Sequence, residues 1–265
     1  MTKLGLPLEY QKLPQFFDAH NVFNDGDWST EKVNAIIERI LRQFTVKSVF
    51  DMTCGTGSQV FYLKERGYNI TGSDFSTPLL EIARDKATKL NHDVRFIDGD
   101  MRTIKAGQFD AVISIFNAVG HLSQADFVLA MENINANLKL DGIYIFDIFN
   151  LKAMTNAVVA DFAYQVRKKV GELQLLSSQT STIDRKSGLL TSYDHIMIQK
   201  GAAKPDMYEN IFSLQLYKLE ELKIMLKHSG FEVVSVCDIN GDEFKEETSR
   251  SMLLVARKVA AKLLL

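Results

Sequence analysis

Val49-Phe-Asp-Met-Thr-Cys-Gly-Thr-Gly-Ser58 is the stretch on which the fold turns. Ser48–Met52 has the length and apolar character of a short buried strand, and Gln59–Arg66 reads as a helix closed by Gly67. Between them, Gly55-Thr-Gly57 lets the backbone turn tightly and come close to a ligand. A strand, a glycine turn and a helix in that order place the turn at the carboxyl end of a sheet strand, where open α/β sheets bind ligands.

Working outward, the period of the chain keeps switching. Asn69–Ser73, Val94–Ile97, Asp110–Phe116 and Gly142–Ile148 read as strands, and Pro78–Leu90 and Gln124–Lys139 as helices between them. Upstream, Ser29 or Thr30 caps a helix that buries Val33, Ile36, Ile37, Ile40, Leu41 and Phe44. Strands alternating with helices at this spacing predict a parallel sheet covered on both faces. After about residue 160 the rhythm changes. Phe162–Val170, Leu173–Ile183, Leu189–Gln199 and Met207–Tyr217 have no helical period and are separated by turn-forming Asp184–Gly188 and Lys200–Pro205, as antiparallel strands would be. A helix carrying Leu219, Leu222 and Leu226 and strands Phe231–Cys237 and Ser251–Arg257 then restore the first pattern. Residues 1–155 and 216–265 are therefore expected to form one α/β domain, with 156–215 an antiparallel insertion that covers a substrate.

Composition narrows the classes. With 31 basic against 33 acidic residues in 265, no basic surface points to nucleic acid or an anionic membrane. No apolar run approaches the ~18 residues of a membrane span, and the segment from Met1 to Glu9 lacks a signal-peptide core. Cys54 and Cys237 make neither a disulfide framework nor a zinc cluster. The five histidines show no metal-ligand spacing, so no metal is expected, and a reducing cytoplasm is the default location.

Two acidic positions give the glycine turn its meaning. Asp74 ends the second strand in Ile70-Thr-Gly-Ser-Asp74-Phe75-Ser76, roughly twenty residues beyond Asp51, where a carboxylate accepts hydrogen bonds from a ribose. Asp100 follows the third strand in Asp98-Gly-Asp100-Met101. The third glycine of a nicotinamide-binding turn is replaced by Val60, and no Gly-Lys-Ser/Thr of a Walker-type phosphate loop occurs.

At these residues the chain resembles the class I S-adenosylmethionine-dependent methyltransferases. Asp51-Met-Thr-Cys-Gly55-Thr-Gly57 resembles their first motif, Asp74 their ribose-binding acid and Asp100-Met101 their adenine-side motif. Phe109–Phe116 resembles the strand whose end lines the cofactor, and Leu138–Gly142 the turn into the fifth strand. The resemblance implies S-adenosyl-L-methionine as cofactor and a Rossmann-like, seven-stranded sheet with helices on both faces and the β insertion after its fifth strand. It also implies that backbone carbonyls near Thr53 or Gly55 receive the methionyl amino group, Gly57 packs beside it, Phe75 flanks the adenine and Phe116 lines the pocket. Gly99-Asp-Met-Arg102 and Phe116-Asn-Ala-Val-Gly-His-Leu122 resemble small-molecule N-methyltransferases of the sugar-amine and glycine/sarcosine kind.

Each residue has a plainer reading. Asp51 could cap its loop, and Asp74 could cap the helix at Pro78, although Ser76 or Thr77 serves better; as a strand-tip carboxylate Asp74 carries little of the core. Asp100 could serve a turn, and Cys54 fills a place that wants a small residue. His121 follows the fourth strand, where substrate meets cofactor, and is either a proton acceptor titrating near pH 6–7 or a structural residue before the helix at Ser123. Tyr193, His195, Tyr208 and Phe212 are the candidate substrate contacts from the insertion, and Phe16, Phe17 and Trp28 form either a lid or a packed helix. The tail Leu263–Leu265 could pack against a second copy or fray, which leaves the oligomeric state open.

The expected reaction is methyl transfer to a small-molecule acceptor, with an amine favoured. Ser114-Ile-Phe-Asn117-Ala-Val lacks the Asn/Asp-Pro-Pro-Tyr/Phe of base-amine methylases, and the net acidity also disfavours a nucleic-acid substrate. A non-catalytic adenosylmethionine-binding or assembly protein is the rival from another class, because the motif residues speak for binding rather than for turnover.

Overall fold

In a computed structural model the structure describes residues 4–20 and 29–260. Phe23, Trp28 and Leu263–Leu265 lie outside the described residues.

After a strap that ends in the short helix α1 (Phe17–His20), the first half alternates. α2 (Thr30–Leu41), β1 (Ser48–Asp51), α3 (Ser58–Glu65), β2 (Asn69–Asp74), α4 (Thr77–Leu90), β3 (Arg95–Asp98), β4 (Phe109–Ser114), α5 (Gln124–Asn137) and β5 (Leu138–Phe149) follow one another. Short polar side chains set the helix starts: Ser29, Ser76 and Ser123 each accept a hydrogen bond from a first-turn N–H of α2, α4 and α5. α3 instead starts on Gly57 in a left-handed conformation.

The insertion comprises α6 (Asn156–Ala160) and strands β6 (Tyr164–Val170), β7 (Leu173–Asp184), β8 (Leu189–Lys200) and β9 (Asp206–Gln215). The chain closes with α7 (Leu219–His228), β10 (Phe231–Cys237) and β11 (Ser251–Lys258). The main sheet has the order β10-β11-β5-β4-β1-β2-β3, and β6 to β9 form a separate antiparallel meander. β1 to β5 pair in parallel, but β11 runs antiparallel to both β5 and β10, so the sheet is mixed rather than wholly parallel.

One apolar core lies under α2 and α3, with Val33, Ile37, Val49, Val60 and Val255; the other lies under α5 and α7, with Phe50, Phe127, Tyr144 and Leu222. Burial of β4 and β5 from both sides explains their near-continuous apolar runs. β5 starts at Leu138, earlier than the expected Gly142, because Leu138 already pairs with Phe109 before Asp141 (φ 61°) redirects the chain.

The meander sits over the carboxyl ends of the main strands. Its inner face packs Leu190, Phe212 and Leu214 on Phe149 and Leu151, and Leu175, Ile196 and Ile198 on Leu8, Leu13 and Phe16 of the strap. The strap is tied to the meander by the Ser213 N–H donating to Leu4 O (2.7 Å) and by Asn210 Nδ2 donating to Leu6 O (2.9 Å). It is tied to the main domain by the Ser76 hydroxyl donating to Tyr10 O.

Candidate active site

A cavity of about 1190 Å³ lies between the carboxyl ends of the main strands, the strap and the meander. Its floor includes Thr53, Gly55, Asp74 and Phe75, while Asp100, Met101 and Phe116 line it further along.

Asp74 organises the floor. Its Oδ2 accepts the Gly55 N–H at 2.8 Å and its Oδ1 the Ser76 N–H at 2.9 Å, so the tip of β2 holds the glycine turn in place. Asp74 therefore has more structural weight than its place at a strand tip suggests. Each oxygen keeps a second lone pair for an incoming hydroxyl. Burial pushes its carboxyl up from 3.8 to about 6, against the opposing pull of its backbone donors.

Asp51 stands behind the turn. It is buried and does not line the cavity; Oδ1 accepts the Thr53 N–H at 3.1 Å, while Oδ2 has no partner among the described residues. Desolvation pushes its carboxyl up to about 8. Gly55 (φ +51°) and Gly57 (φ +92°) both need left-handed backbone, and a Cβ on Gly55 would meet the Phe17 ring at 3.3 Å. Burial holds the Cys54 thiol well above its usual range, consistent with packing rather than reactivity.

Asp100 accepts from the Arg102 side chain and backbone, and Arg102 also reaches Asp126 at 2.8 Å. The guanidinium holds the Asp100 carboxyl below its usual range. Phe75 is 41% exposed, which leaves a flat apolar ring at the cavity edge.

The tip of β4 carries a feature that the sequence reading missed. Phe116 and Asn117 are both left-handed, with φ of 64° and 55°. Buried Asp147 on β5 accepts the Asn117 N–H at 2.9 Å, and Asn117 Oδ1 accepts the Phe149 N–H at 3.0 Å. The signal was an aspartate inside the apolar run Ile143–Phe149. Two side-chain clamps thus hold a backbone that costs energy on its own.

His121 ends the short turn after that tip and lines the cavity. Its Nε2 is hydrogen-bonded to the Tyr10 hydroxyl at 3.1 Å, and its buried Nδ1 has no partner among the described residues. Burial lowers its pKa from 6.5 to about 4, so the imidazole is neutral at pH 7. Tyr10, also missed from sequence, contacts Phe17, Phe75 and His121 with ring centroids 5.7, 6.2 and 5.3 Å away.

Of the four candidates on the meander, only Phe212 lines the cavity, with its ring 6.1 Å from His121. Tyr193 and His195 alternate with buried Ser192 and Asp194, so the pleat turns them to the outer face. There Tyr193 is exposed and His195 faces exposed Glu209 at 3.7 Å. Tyr208 packs half-buried at the edge of the strap's core. The meander residues that do line the cavity are Tyr164, Gln179, Ser192, Asp194, Phe212 and Leu214.

A family model described as a methyltransferase domain matches residues 49–142, the segment that builds the floor and the β4 tip. The uncharacterized protein MJ1252 of Methanocaldococcus jannaschii is 31% identical over 239 residues, which is 88% of this chain and 78% of that protein. The chain belongs to the class I S-adenosylmethionine-dependent methyltransferases. This methyltransferase is also 33% identical over 102 residues to dTDP-3-amino-3,6-dideoxy-alpha-D-glucopyranose N,N-dimethyltransferase of Streptomyces fradiae, over 38% of each chain. In fold it is similar to the sugar N-methyltransferase KedS8 of Streptoalloteichus, with a TM-score of 0.76 at 16% identity over 98% of this chain and 96% of that one. Among the described residues of the methyltransferase, no helix is long and apolar enough to cross a membrane and no group of three His, Cys, Asp or Glu forms a metal cage.

Proposed function

We propose that this methyltransferase methylates a nitrogen of a small amine held between the glycine turn and the meander. The observation that carries the reading is one cavity that joins Asp74 to a buried, neutral His121 under the meander. The floor fits adenosylmethionine: Asp74 has lone pairs for two ribose hydroxyls, Phe75 offers an apolar face to a purine, and Thr53 Oγ1, on a residue that lines the cavity, is buried without a partner among the described residues. When bound, adenosylmethionine supplies an electrophilic methyl carbon on a sulfonium.

The protein's task is then to align a nucleophile, and proximity with orientation supplies ~7–11 kcal/mol of the barrier. The clamped tip of β4 sets the rigid edge along which the acceptor nitrogen approaches, while Tyr10 and Phe17 keep water out from the strap side. An amine attacks only when neutral. In the tautomer whose Nε2–H donates to the Tyr10 hydroxyl, His121 offers Nδ1 as the acceptor for the departing proton, a contribution of ~10²–10⁴-fold.

Calorimetry tests the donor half of this reading, with adenosylmethionine and adenosylhomocysteine expected to bind one site per chain and NAD none. Incubation with a panel of primary amines and alcohols, read by mass spectrometry, tests the acceptor half. Methylated alcohols with untouched amines would overturn it.

A further inference from the structure

Tyr10 reaches His121 from a strap that has little regular structure of its own. On either side of it lie only the three-residue turns Leu8–Tyr10 and Pro14–Phe16, and the backbone N–H groups from Tyr10 to Leu13 bond back to Pro7 and Leu8. Turns this short do not fix a side chain by themselves. The Tyr10 ring is nevertheless packed against Phe17, Phe75 and His121, and its hydroxyl meets His121 Nε2 at 3.1 Å. Burial, followed by the charges of Asp74 and Glu9, pushes the phenol up, so it stays protonated. Among the described residues Tyr10 is the hydrogen-bond partner of the imidazole, whose Nδ1 has none.

Ser76 supplies the fixed point from which Tyr10 is held. It is buried at the start of α4 and makes three hydrogen bonds. Its N–H donates to Asp74 Oδ1 at 2.9 Å, its hydroxyl oxygen accepts the Leu79 N–H at 3.3 Å, and its hydroxyl proton goes to Tyr10 O. A hydroxyl has one proton and two lone pairs, so capping α4 and tying down Tyr10 do not compete. An ionised aspartate would cap α4 as well, but it has no proton to give.

The contacts form an unbroken line from the donor floor to the acceptor wall, through Asp74, Ser76, Tyr10 and His121. Precision at its far end matters, because a misplacement of about 1 Å at a reacting group can cost ~10²-fold in rate.

Resting on the role given to His121 above, we propose that Ser76 is a positioning residue: by anchoring the Tyr10 carbonyl it holds the phenol against Nε2 and keeps His121 set for the acceptor's proton. Nitrogen and proton NMR of the His121 imidazole, in the full-length protein saturated with adenosylhomocysteine, tests this without an acceptor. In wild type the ring should be neutral at pH 7 and have its proton on Nε2. Ser76→Ala should speed exchange of that proton with solvent at least about ten-fold, as loss of one anchoring hydrogen bond shifts a local opening. Ser76→Gly should do the same while α4 stays capped, since glycine at that position costs a helix only a few tenths of a kcal/mol. Ser76→Thr keeps the hydroxyl and should exchange as wild type does. A role confined to capping α4 would lower the melting temperature of Ser76→Ala and leave exchange at His121 unchanged in Ser76→Gly. That unchanged exchange, or a Ser76→Thr variant as fast as Ser76→Ala, overturns the proposal. Failure of the His121 reading looks different: the wild-type ring has its proton on Nδ1, whatever occupies position 76.

Discussion

Asp74→Ala removes a carboxylate that serves the fold and the cofactor together, and the two losses separate by pH. Truncation leaves the Gly55 and Ser76 N–H groups without an acceptor in a buried place, at ~1–3 kcal/mol each. Against that stands the burial of the carboxylate itself, whose rise from 3.8 to about 6 weighs roughly 3 kcal/mol against the ionised form. At pH 8 the two largely offset, and the variant should be less stable by ~0–3 kcal/mol. The folded pKa lies above the unfolded one, so this group's contribution is fully present below 3.8 and lost as pH rises through about 6. At pH 5 wild type keeps part of it, so the deficit of the variant should widen by about 1 kcal/mol. Losing charge-assisted bonds to two ribose hydroxyls should weaken adenosylhomocysteine binding about 10- to 150-fold at pH 8, and less at pH 5, where the carboxyl is mostly protonated before the ligand arrives. Denaturant titrations at the two pH values and calorimetry on the same preparations measure both effects. Unchanged cofactor affinity in the folded variant, or a deficit that shrinks on acidification, refutes the reasoning.

His121→Phe should leave adenosylmethionine affinity nearly unchanged and lower turnover ~10²–10⁴-fold. With its folded pKa near 4, the limb it removes from the pH–rate profile lies there and not at the pH 6–7 of an unperturbed histidine; normal specific activity would strike it from the mechanism. Asn117→Ala loses the bond to the Phe149 N–H and puts alanine in left-handed backbone, so stability should fall by ~2–4 kcal/mol, read by urea unfolding. A loss below ~0.5 kcal/mol would mean that the β4 tip is not clamped.

The floor of the site was legible because its chemistry is local. Strand, glycine turn and helix are contiguous from Ser48 to Glu65, and Asp74 and Asp100 each sit directly after or at a strand end, so no long-range packing decides where they go. The meander was legible as four strands but not as a surface. β7 and β8 carry serines and threonines on both faces, so the apolar alternation that fixes parity is weak, and Tyr193 and His195 were chosen for their chemistry on the wrong face. Asp194 lies between them. Tyr10 escaped because its meaning depends on the strap crossing to His121, a contact 111 positions away in the chain. The shift of His121 to a pKa of about 4 has the same origin: burial is a property of the assembled wall, and no neighbouring residue announces it.

The meander leaves and rejoins the main sheet through one doorway. The Leu151 N–H donates to Tyr217 O at 2.9 Å, the Tyr217 N–H to Phe149 O at 3.3 Å, and Asn150 bridges Tyr217. A chain whose exit and return are hydrogen-bonded neighbours can have everything between them exchanged without asking the parent sheet to re-register. The substrate wall is in that sense a cassette, plugged into a donor-binding chassis and latched on its far side by Leu4 and Leu6. Grafting a foreign meander between Asn150 and Tyr217, together with its own strap, is the route by which acceptor choice could be rewritten while the methyl-donor pocket stays as it is.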